Sequence, residues 1–389
     1  MILCDLSTFY CSKGGGVSTY HRARLDWFSR QRAHQYILVS PGPRFEMRQP
    51  APSVIVVQVY GARASRDTDR YRLLIDYGTV RDVIQHFSPD VLETHDPWFS
   101  LPMGLIVRHK GPYRGLLTTY CHSDPIRTYV HPRLPSWRWL SRSLNRWERW
   151  ADRELHRLHG ACRAVFVASE VMRERLNEVG VDHVVKAGFG FDGDLLRIAR
   201  RAPDGARRIL YAGRLDTDKE FELVLDVLPD LLGRTDVHVT IAGAGKYARD
   251  VARIKHPRFR YLGHIVDRRA LCVVYASHDV LLAPGRFETF GMSALEGAAA
   301  GLIVVGPSEG GTGELLKQCH SPLMFTPGCR TSFRNAIDDS IRMDRAPLVE
   351  RGRALARQHG SWDSSVARHV AIYLSMLGRE SDELVGHTA

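Results

Sequence analysis

Short apolar runs alternate with segments of helical periodicity along the first half of the chain. Between the runs, apolar residues recur every three or four positions, as they do on the buried side of a helix. The runs fall at residues 2–6, 36–39, 54–59, 91–94, 116–120 and 165–168. Strands that alternate with helices in this way are typical of a parallel sheet with crossover helices.

The second half repeats this rhythm. Apolar runs predict strands at residues 208–213, 237–242, 259–263, 280–283, 302–306 and 323–326. Helical spacing predicts helices at residues 221–232, 268–276 and 292–300. We therefore predict an α/β protein with two doubly wound, Rossmann-like domains that follow one another along the chain. Ligands of such a pair bind in the cleft between the domains, at the carboxyl ends of the strands.

The turn-prone segment 202–206 is the predicted hinge between the domains. It gives a first domain at residues 1–200 and a second at residues 201–363. The remaining segment, residues 364–389, begins with helical spacing and ends in a polar tail that we expect to be frayed.

Composition indicates a folded protein with anionic partners. Hydrophobic residues make up 44% and charged residues 25% of the 389 positions, close to the averages of globular proteins. The formal charge of +11 favours phosphates, nucleic acids or acidic lipid headgroups. We expect a cytoplasmic protein, because the chain has no membrane-length apolar run and no signal-peptide pattern. Seven cysteines without a C-x-x-C pair predict reduced thiols and no zinc site.

The most informative stretch is residues 284–301, where a predicted strand leads into a helix. Phe290, Gly291 and Met292 would present unpaired backbone N–H groups and the positive end of the helix dipole to a phosphate. Glu296 can accept hydrogen bonds from ribose or sugar hydroxyls, and Glu288 precedes the helix beside the same cleft. Two glutamates eight residues apart are usually ordinary solvated side chains. Their position around a phosphate site favours a role in binding.

A second cluster follows the predicted strand at residues 208–213. Arg214 and Lys219 would place two cations at the carboxyl edge of the second sheet. Such cations suit a diphosphate whose negative charge grows as it departs as a leaving group.

Gly14, Gly15 and Gly16 form a third cluster between the first strand and a helix. They allow a tight turn with N–H groups that face the cleft. The turn lacks the G-K-[ST] of a nucleotide-hydrolysing loop and the spacing of G-x-G-x-x-G. The sequence therefore disfavours nucleoside triphosphate hydrolysis and dinucleotide binding.

Several further residues have both a functional and an ordinary interpretation. His122 ends a predicted strand at the cleft, although a lone histidine is more often packed than catalytic. Glu314 begins another helix, where it would either bind a ligand or simply favour the dipole. The Asp-x-Asp triplets at residues 67–69 and 216–218 could hold a divalent cation, but aspartates in polar loops are usually turn formers or caps.

Residues 137–162 have the pattern of a basic amphipathic helix. Apolar residues recur at three- and four-residue spacing, and six arginines lie off that stripe. The simpler interpretation is a surface helix packed on the first domain. The functional one is a helix that contacts an anionic membrane surface. Because no nucleic-acid-binding signature accompanies it, we expect no nucleic-acid partner.

Taken in order, these motifs resemble the retaining glycosyltransferases of glycosyltransferase family 4, which have the two-Rossmann-domain GT-B fold. The resemblance spans nearly the whole chain, and the pair Glu288-x7-Glu296 in its Phe-Gly-Met setting is its most specific part. It implies a nucleotide-diphosphate sugar as donor, no cofactor and no divalent metal. It also implies that the last helix crosses back onto the first domain.

The resemblance assigns roles to individual residues. The diphosphate would be held by a set of cations and amides: Arg214, Lys219, Phe290, Gly291 and Met292. Glu296 would bind the ribose, and Glu288 the hydroxyls of the transferred sugar. Gly15 and Gly16 would face the donor, and His122 would lie beside the reacting sugar. The expected catalytic residues are thus His122, Arg214, Lys219 and Glu288.

Three positions depart from the family pattern. Glu220 stands where a glycine commonly follows the lysine, Lys246 replaces a frequent proline, and residues 186–192 lack the usual Pro-Asn-Gly. These departures leave the donor open between a UDP-hexose and GDP-mannose. The expected acceptor is a glycan or lipid-linked saccharide of the cell envelope, reached by a cytoplasmic or peripheral membrane enzyme. A nucleotide-sugar epimerase and a noncatalytic nucleotide-sugar or nucleic-acid binding protein remain as alternatives.

Overall fold

A computed structural model describes residues 1–11, 14–64, 71–111, 113–130, 146, 150–151, 153–200 and 204–379. Several sequence predictions lie outside these ranges. They are the triplet at residues 67–69, half of the basic segment 137–162, part of the hinge and the polar tail.

The first sheet has nine strands among the described residues. They are β1 (Ile2–Leu6), β2 (Gln35–Gly42), β3 (Glu46–Ala51), β4 (Val54–Arg63), β5 (Arg72–Leu74), β6 (Val91–Thr94), β7 (Leu116–Cys121), β8 (Ala164–Val167) and β9 (Val184–Lys186). Their order is β3-β4-β2-β1-β6-β7-β8-β9, with β5 also on β4. All pairings are parallel except those of β3 and β5 with β4.

The second sheet has six strands in the described part of the chain, all parallel to their neighbours. They are β10 (Arg207–Ala212), β11 (Val237–Ala242), β12 (Phe259–Gly263), β13 (Val280–Leu282), β14 (Ile303–Pro307) and β15 (Met324–Phe325). The order is β12-β11-β10-β13-β14-β15. The prediction of an α/β fold with two doubly wound sheets is confirmed.

Helices connect the strands in both halves. In the first half they are α1 (Gly16–Ser29), α2 (Tyr77–Phe87), α3 (Ser100–Lys110), α4 (Glu170–Glu178) and α5 (Asp194–Arg197). In the second half they are α6 (Phe221–Gly233), α7 (Ala248–Arg253), α8 (Arg268–Ala276), α9 (Met292–Ala299), α10 (Gly310–Gln318), α11 (Arg330–Arg342), α12 (Ala346–His359) and α13 (Trp362–Met376). Because helices cover both faces, the central strands are buried throughout and read as apolar runs rather than alternating patterns.

Three strands of the first sheet were not predicted from the sequence. The clearest is β3, which is largely exposed and contains Pro50. It has no apolar run, and it forms because the outer edge of β4 offers unpaired backbone groups. β5 and β9 are each three residues long, too short for a periodic signal.

The last helix, α13, packs on the first domain although it follows the second sheet. Arg24 in α1 donates a hydrogen bond of 2.9 Å to the Tyr373 hydroxyl, and Tyr20 contacts His369. At the start of α13, the Trp362 N–H donates to the Phe191 carbonyl at 3.1 Å. The chain end is thereby held against the segment that joins the two sheets.

Candidate active site

The amino end of α9 lies at the carboxyl edge of the second sheet. No side chain among the described residues caps this helix. Gly291 precedes it with φ 87°, and a Cβ there would lie 2.7 Å from the Thr312 hydroxyl oxygen, so that only glycine fits. The uncapped N–H groups and the helix dipole favour an anion at this point. The geometry is therefore that expected for Phe290, Gly291 and Met292 as phosphate-binding residues.

Lys219 and Glu288 meet beside this helix end. The Lys219 ammonium donates a short hydrogen bond to Glu288 Oε1. The two side chains are 25% and 24% exposed, so a ligand in the cleft can reach both of them. The structure thus brings the predicted diphosphate cation and the predicted sugar-binding carboxylate into direct contact.

Arg214 is held by the second Asp-x-Asp triplet. Its guanidinium lies 3.3 Å from Asp216 Oδ2 and forms a short ion pair with Asp218. Asp216 also accepts a 2.7 Å hydrogen bond from the Lys246 N–H. Both aspartates thus take part in a local network around Arg214, whose side chain stays 37% exposed.

The structure accounts for Glu220 at a position where the family commonly has glycine. It has φ 49°, a left-handed conformation that costs a residue other than glycine about 1–2 kcal/mol. Its carboxylate accepts a 3.0 Å hydrogen bond from the Arg286 N–H and lies 3.2 Å from Arg286 Nε. These contacts offset the strain and tie the loop of Lys219 to the loop of Glu288.

Glu296 lies one turn into α9 and is buried. Its Oε2 accepts a 3.1 Å hydrogen bond from the Tyr275 hydroxyl, and its Oε1 lies 3.5 Å from the Arg268 guanidinium. Burial raises the pKa of Glu296, and the charge of Arg268 opposes that rise. Arg268 also pairs with Asp192 at 3.2 Å. Neither Tyr275 nor Arg268 was singled out from the sequence, because each lies about 20 or more residues away from Glu296.

His122 follows β7 and lies where the two domains meet. Its carbonyl oxygen accepts a 2.8 Å hydrogen bond from the Thr289 hydroxyl, in the loop of the second domain between Glu288 and Phe290. Its ring stacks on Tyr120 at 4.6 Å between centroids. Burial, followed by the neighbouring His95, holds the pKa of His122 well below its usual range, so the ring is neutral.

The glycine turn approaches the donor helix from the opposite side of the cleft. α1 begins at Gly16, with Gly15 as the preceding cap residue and no side-chain cap. A methyl group at Gly16 would lie 3.3 Å from the Met292 sulfur. The amino ends of α1 and α9 therefore lie close together, and both favour negative charge between them.

Glu314 joins the two domains in this structure. Its carboxylate lies 3.1 Å from Lys186 Nζ and accepts a 3.0 Å hydrogen bond from the Val171 N–H at the start of α4. The Ser169 hydroxyl donates to the Thr289 carbonyl nearby. These contacts hold the edge of the first sheet against the second domain.

A buried charge network lies beneath the cleft in the first domain, and the sequence did not predict it. Arg24 lies 2.9 Å from Asp5 Oδ1 and 2.8 Å from Glu93 Oε1, and all three side chains are fully buried. Burial tends to raise the pKa of Asp5, but Arg24 and the nearby histidines hold it well below its usual range. Burial, together with the charge of Asp5, raises the pKa of Glu93 to about 7 against the attraction of Arg24. The charged form of Asp5 is therefore stabilised more strongly in this network than the charged form of Glu93.

The same network contains the one group in the described residues with ligand atoms close enough for a metal. Atoms of Asp5, His21 and His95 lie within 4.8 Å of one another. Arg24 already donates to both carboxylate oxygens of Asp5. Arg24 thus already supplies a positive charge to this carboxylate.

Removing the titrating carboxyl of Glu93 should make stability less sensitive to pH. A carboxyl whose pKa is raised on folding contributes stability that is present below the pKa of the unfolded chain and is lost as pH rises through the folded value. For Glu93 the window runs from about 4.5 to about 7. We expect Glu93→Gln to flatten the pH dependence of the free energy of unfolding across that window, as measured by urea titrations at pH 5 and pH 7.5. Glu350→Gln, at an exposed position, is the control, and an unchanged slope in Glu93→Gln would contradict the assigned titration.

Two family models match this chain one after the other. A model described as "Glycosyltransferase Family 4" matches residues 14–188, and one described as "Glycosyl transferases group 1" matches residues 206–342. Together they cover both domains and the motifs of the candidate site.

Two relatives of this chain are named as mannosyltransferases. The chain is 27% identical over 316 residues to a GDP-mannose-dependent α-(1-6)-phosphatidylinositol dimannoside mannosyltransferase of Mycobacterium tuberculosis, covering 78% of this chain and 79% of that protein. It is 24% identical over 259 residues to a GDP-mannose-dependent α-mannosyltransferase of Corynebacterium glutamicum, covering 62% and 56%.

Solved structures share the fold. Sucrose-phosphate synthase of Thermosynechococcus elongatus superposes with a TM-score of 0.77 at 15% identity, covering 97% of this chain and 99% of that one. A trehalose-6-phosphate enzyme of E. coli bound to UDP-2-fluoroglucose has a TM-score of 0.70 at 14% identity, covering 96% and 99%.

The protein is therefore a GT-B glycosyltransferase. The chain belongs to glycosyltransferase family 4, as the motif resemblance indicated. The epimerase and binding-protein alternatives lose their support, because family membership and the site both favour sugar transfer. Among the described residues, no helix combines the length and the apolar character needed to span a membrane.

Proposed function

We propose that this enzyme transfers mannose from GDP-mannose to a hydroxyl of a saccharide acceptor, with retention of configuration and without a metal ion. The observation that carries the proposal is the meeting of Lys219, Glu288 and the uncapped amino end of α9 at one edge of the second sheet. This arrangement suits a diphosphate joined to a sugar. We choose GDP-mannose as the proposed donor because two relatives, which match 78% and 62% of this chain, are named as GDP-mannose-dependent.

The reaction requires charge stabilisation at the leaving group. As the bond from the anomeric carbon to the diphosphate oxygen breaks, the electron pair and the negative charge pass to the diphosphate. Lys219, Arg214 and the helix N–H groups supply positive charge there. Cations and dipoles fixed in place before the reaction stabilise the charge that develops in the transition state. These groups are our reason for proposing that no divalent metal is needed.

Retention is proposed from the resemblance to the retaining glycosyltransferases of family 4, and the contacts of Glu288 argue against a route through a covalent intermediate on that carboxylate. Its carboxylate is bonded to Lys219, which lowers its availability for attack. The acceptor hydroxyl would instead form its bond to the anomeric carbon from the face that the diphosphate leaves, and its proton would pass to the departing diphosphate oxygen. Analysis of the anomeric configuration of the product by NMR tests this point, and an inverted product would contradict it.

For the acceptor we propose a lipid-linked saccharide. One relative is named for a phosphatidylinositol dimannoside substrate, which combines a lipid with a mannosylated headgroup. The +11 charge of the chain is compatible with an anionic headgroup or membrane surface. Contact of the basic segment 137–162 with a membrane stays a prediction, since half of that segment lies outside the described residues.

A thermal-shift panel tests the donor directly. GDP-mannose, GDP, UDP-glucose, UDP and ADP are added to the wild type and to Glu296→Ala. A ligand that binds only the folded state adds about 2.7 kcal/mol of stability at a concentration 100-fold above its dissociation constant. We expect a marked rise in melting temperature with GDP-mannose and GDP in the wild type, and a much smaller rise in Glu296→Ala.

Glu350→Ala is the matched control, because this glutamate is exposed on α12. It should keep the full shift. A larger shift with UDP-glucose than with GDP-mannose would replace the proposed donor but leave the site assignment intact. Equal shifts in the wild type and in Glu296→Ala would show that the donor site is misassigned.

A further inference from the structure

A chain of polar contacts connects His122 to the buried charge network. His95 follows β6 and His122 follows β7, and these two strands are neighbours in the first sheet. Because the carboxyl ends of parallel neighbours meet at one edge, the two rings come together, with His95 Nδ1 2.9 Å from His122 Nε2. A hydrogen bond at this distance requires one nitrogen to carry the proton and the other to accept it.

The groups that face His95 Nε2 determine which ring nitrogen carries the proton. His95 Nε2 lies 3.3 Å from Asp5 Oδ2 and 3.6 Å from Glu93 Oε1. A nitrogen lone pair facing two carboxylate oxygens is repelled by them, whereas an N–H is attracted. The proton of His95 therefore lies on Nε2, and its Nδ1 accepts from the Nε2–H of His122.

Both rings are neutral, so each carries a single ring proton. Burial, only partly opposed by Asp5, lowers the pKa of His95 to about 3. Burial also lowers the pKa of His122. Asp5 keeps its negative charge because Arg24 pairs with it.

The orientation of His95 is fixed by its surroundings. The Ser100 hydroxyl oxygen accepts a 3.0 Å hydrogen bond from the backbone N–H of His95, which fixes the main chain that carries the ring. The ring of His21 packs edge-on at 4.4 Å and that of Tyr20 at 5.6 Å. A ring held in this way cannot turn over to reverse the direction of the hydrogen bonds without disturbing its neighbours.

The remaining nitrogen, His122 Nδ1, is free to meet a ligand. It has no hydrogen-bond partner among the residues that the structure describes and is not sealed from solvent. With the proton on Nε2, Nδ1 carries a lone pair and acts only as an acceptor.

We propose that Asp5 and His95 are positioning residues that hold His122 in the tautomer with a bare Nδ1, so that His122 accepts a hydrogen bond from a substrate hydroxyl at the site of transfer. This inference rests on the proposed function for the placement of His122 beside the sugar. It adds the direction of the hydrogen bond and the residues that set it. By analogy with the outer partners of metal-bound histidines, we expect removal of such a partner to change activity by about 10- to 100-fold.

The first test is spectroscopic and does not depend on activity. Nitrogen-15 NMR of the full chain, with His122 assigned by comparison with His122→Asn, reports which ring nitrogen is protonated. We expect a protonated Nε2 and an unprotonated Nδ1 for His122 in the wild type. A protonated Nδ1 would overturn the proposal. If the wild type transferred no sugar, the proposed function would fail while this measurement would still decide the tautomer.

The second test uses paired substitutions at His95. His95→Gln keeps an acceptor for His122 and a donor for Asp5, whereas His95→Leu removes both. With GDP-mannose as donor, we expect His95→Leu to lower kcat by about 10- to 100-fold with little change in the donor KM, and His95→Gln to recover most of the loss. If both variants lose kcat equally, at equal melting temperatures, the proposal that His95 positions His122 is wrong. If His95→Leu does not fold, the His95→Gln rate and the wild-type spectrum still decide.

Discussion

Replacing Lys219 by methionine should lower kcat by about 10²- to 10³-fold. The ammonium of Lys219 is bonded to Glu288 and adjoins the amino end of α9, where we place the diphosphate. Negative charge on the diphosphate increases as the sugar departs, so a fixed cation stabilises the transition state more than the bound donor. The loss should therefore appear mainly in kcat, with a smaller change in the donor KM. Steady-state kinetics with GDP-mannose, at saturating acceptor, measure both constants.

The control for this change is Lys255→Met, because Lys255 is an exposed lysine of the same domain. It should retain wild-type kinetics. Melting temperatures of both variants separate a catalytic loss from unfolding, since Lys219→Met leaves Glu288 without its cation. A Lys219→Met enzyme with an unchanged kcat and a raised KM would mean that Lys219 contributes to ground-state binding alone.

The donor half of the site was predictable from the sequence because its residues are local to two loops. Glu288, Phe290 and Glu296 lie within nine consecutive positions, and the strand-to-helix transition around them follows from apolar periodicity. The contact of Lys219 with Glu288 follows from topology, since the loops after β10 and β13 meet where these parallel strands are neighbours. Short-range pattern and strand adjacency together account for this part of the site.

The partners of these residues were not predictable in the same way. Tyr275 and Arg268 contact Glu296 from α8, which has the ordinary pattern of a half-buried helix. Thr289 contacts His122 across 167 positions of sequence. Apolar periodicity indicates which face of an element is buried, but it does not indicate which side chain from another element lies opposite.

The buried charge network was missed for a related reason, although α1 carries a sign of it. His21 and Arg24 are three residues apart on the buried face of α1, among the aromatic residues Tyr20 and Phe28. A charged residue on an apolar helix face needs a buried partner. Its partners, Asp5 and Glu93, lie in strands whose apolar runs conceal them. Such a polar stripe within an apolar face is therefore a signal worth following in related sequences.

The network connects the stability of the first domain to the geometry of the cleft. Glu93 accepts hydrogen bonds from Tyr20 in α1 and from Tyr373 in α13, and Asp5 faces His95, which in turn contacts His122. The same carboxylates that attach the last helix to the first domain thus orient the histidine at the cleft. A substitution in this network should affect both folding and transfer, whereas one at Lys219 should affect mainly transfer.

Replacing Arg24 by methionine should lower the free energy of unfolding by about 3–5 kcal/mol, because it leaves two buried carboxylates without their cation. Urea unfolding at pH 7.5 measures the loss, and Arg30→Met, at the half-exposed arginine that follows the last residue of α1, should cost far less. Without Arg24, the pKa values of Asp5 and Glu93 must rise. The variant should therefore regain stability as the pH falls from 8 to 5, since folding then favours the protonated carboxyls.

A second substitution distinguishes charge from packing as the cause of this loss. If the loss comes from uncompensated charge, adding Glu93→Gln to Arg24→Met should restore part of the stability, because one buried charge disappears without a change in volume. If the loss comes from the missing contacts of the guanidinium, the two substitutions should add or worsen each other. A double variant less stable than Arg24→Met at pH 7.5, with no gain of stability in mild acid, would show that Arg24 acts by packing and that the carboxylates need no cation to be buried.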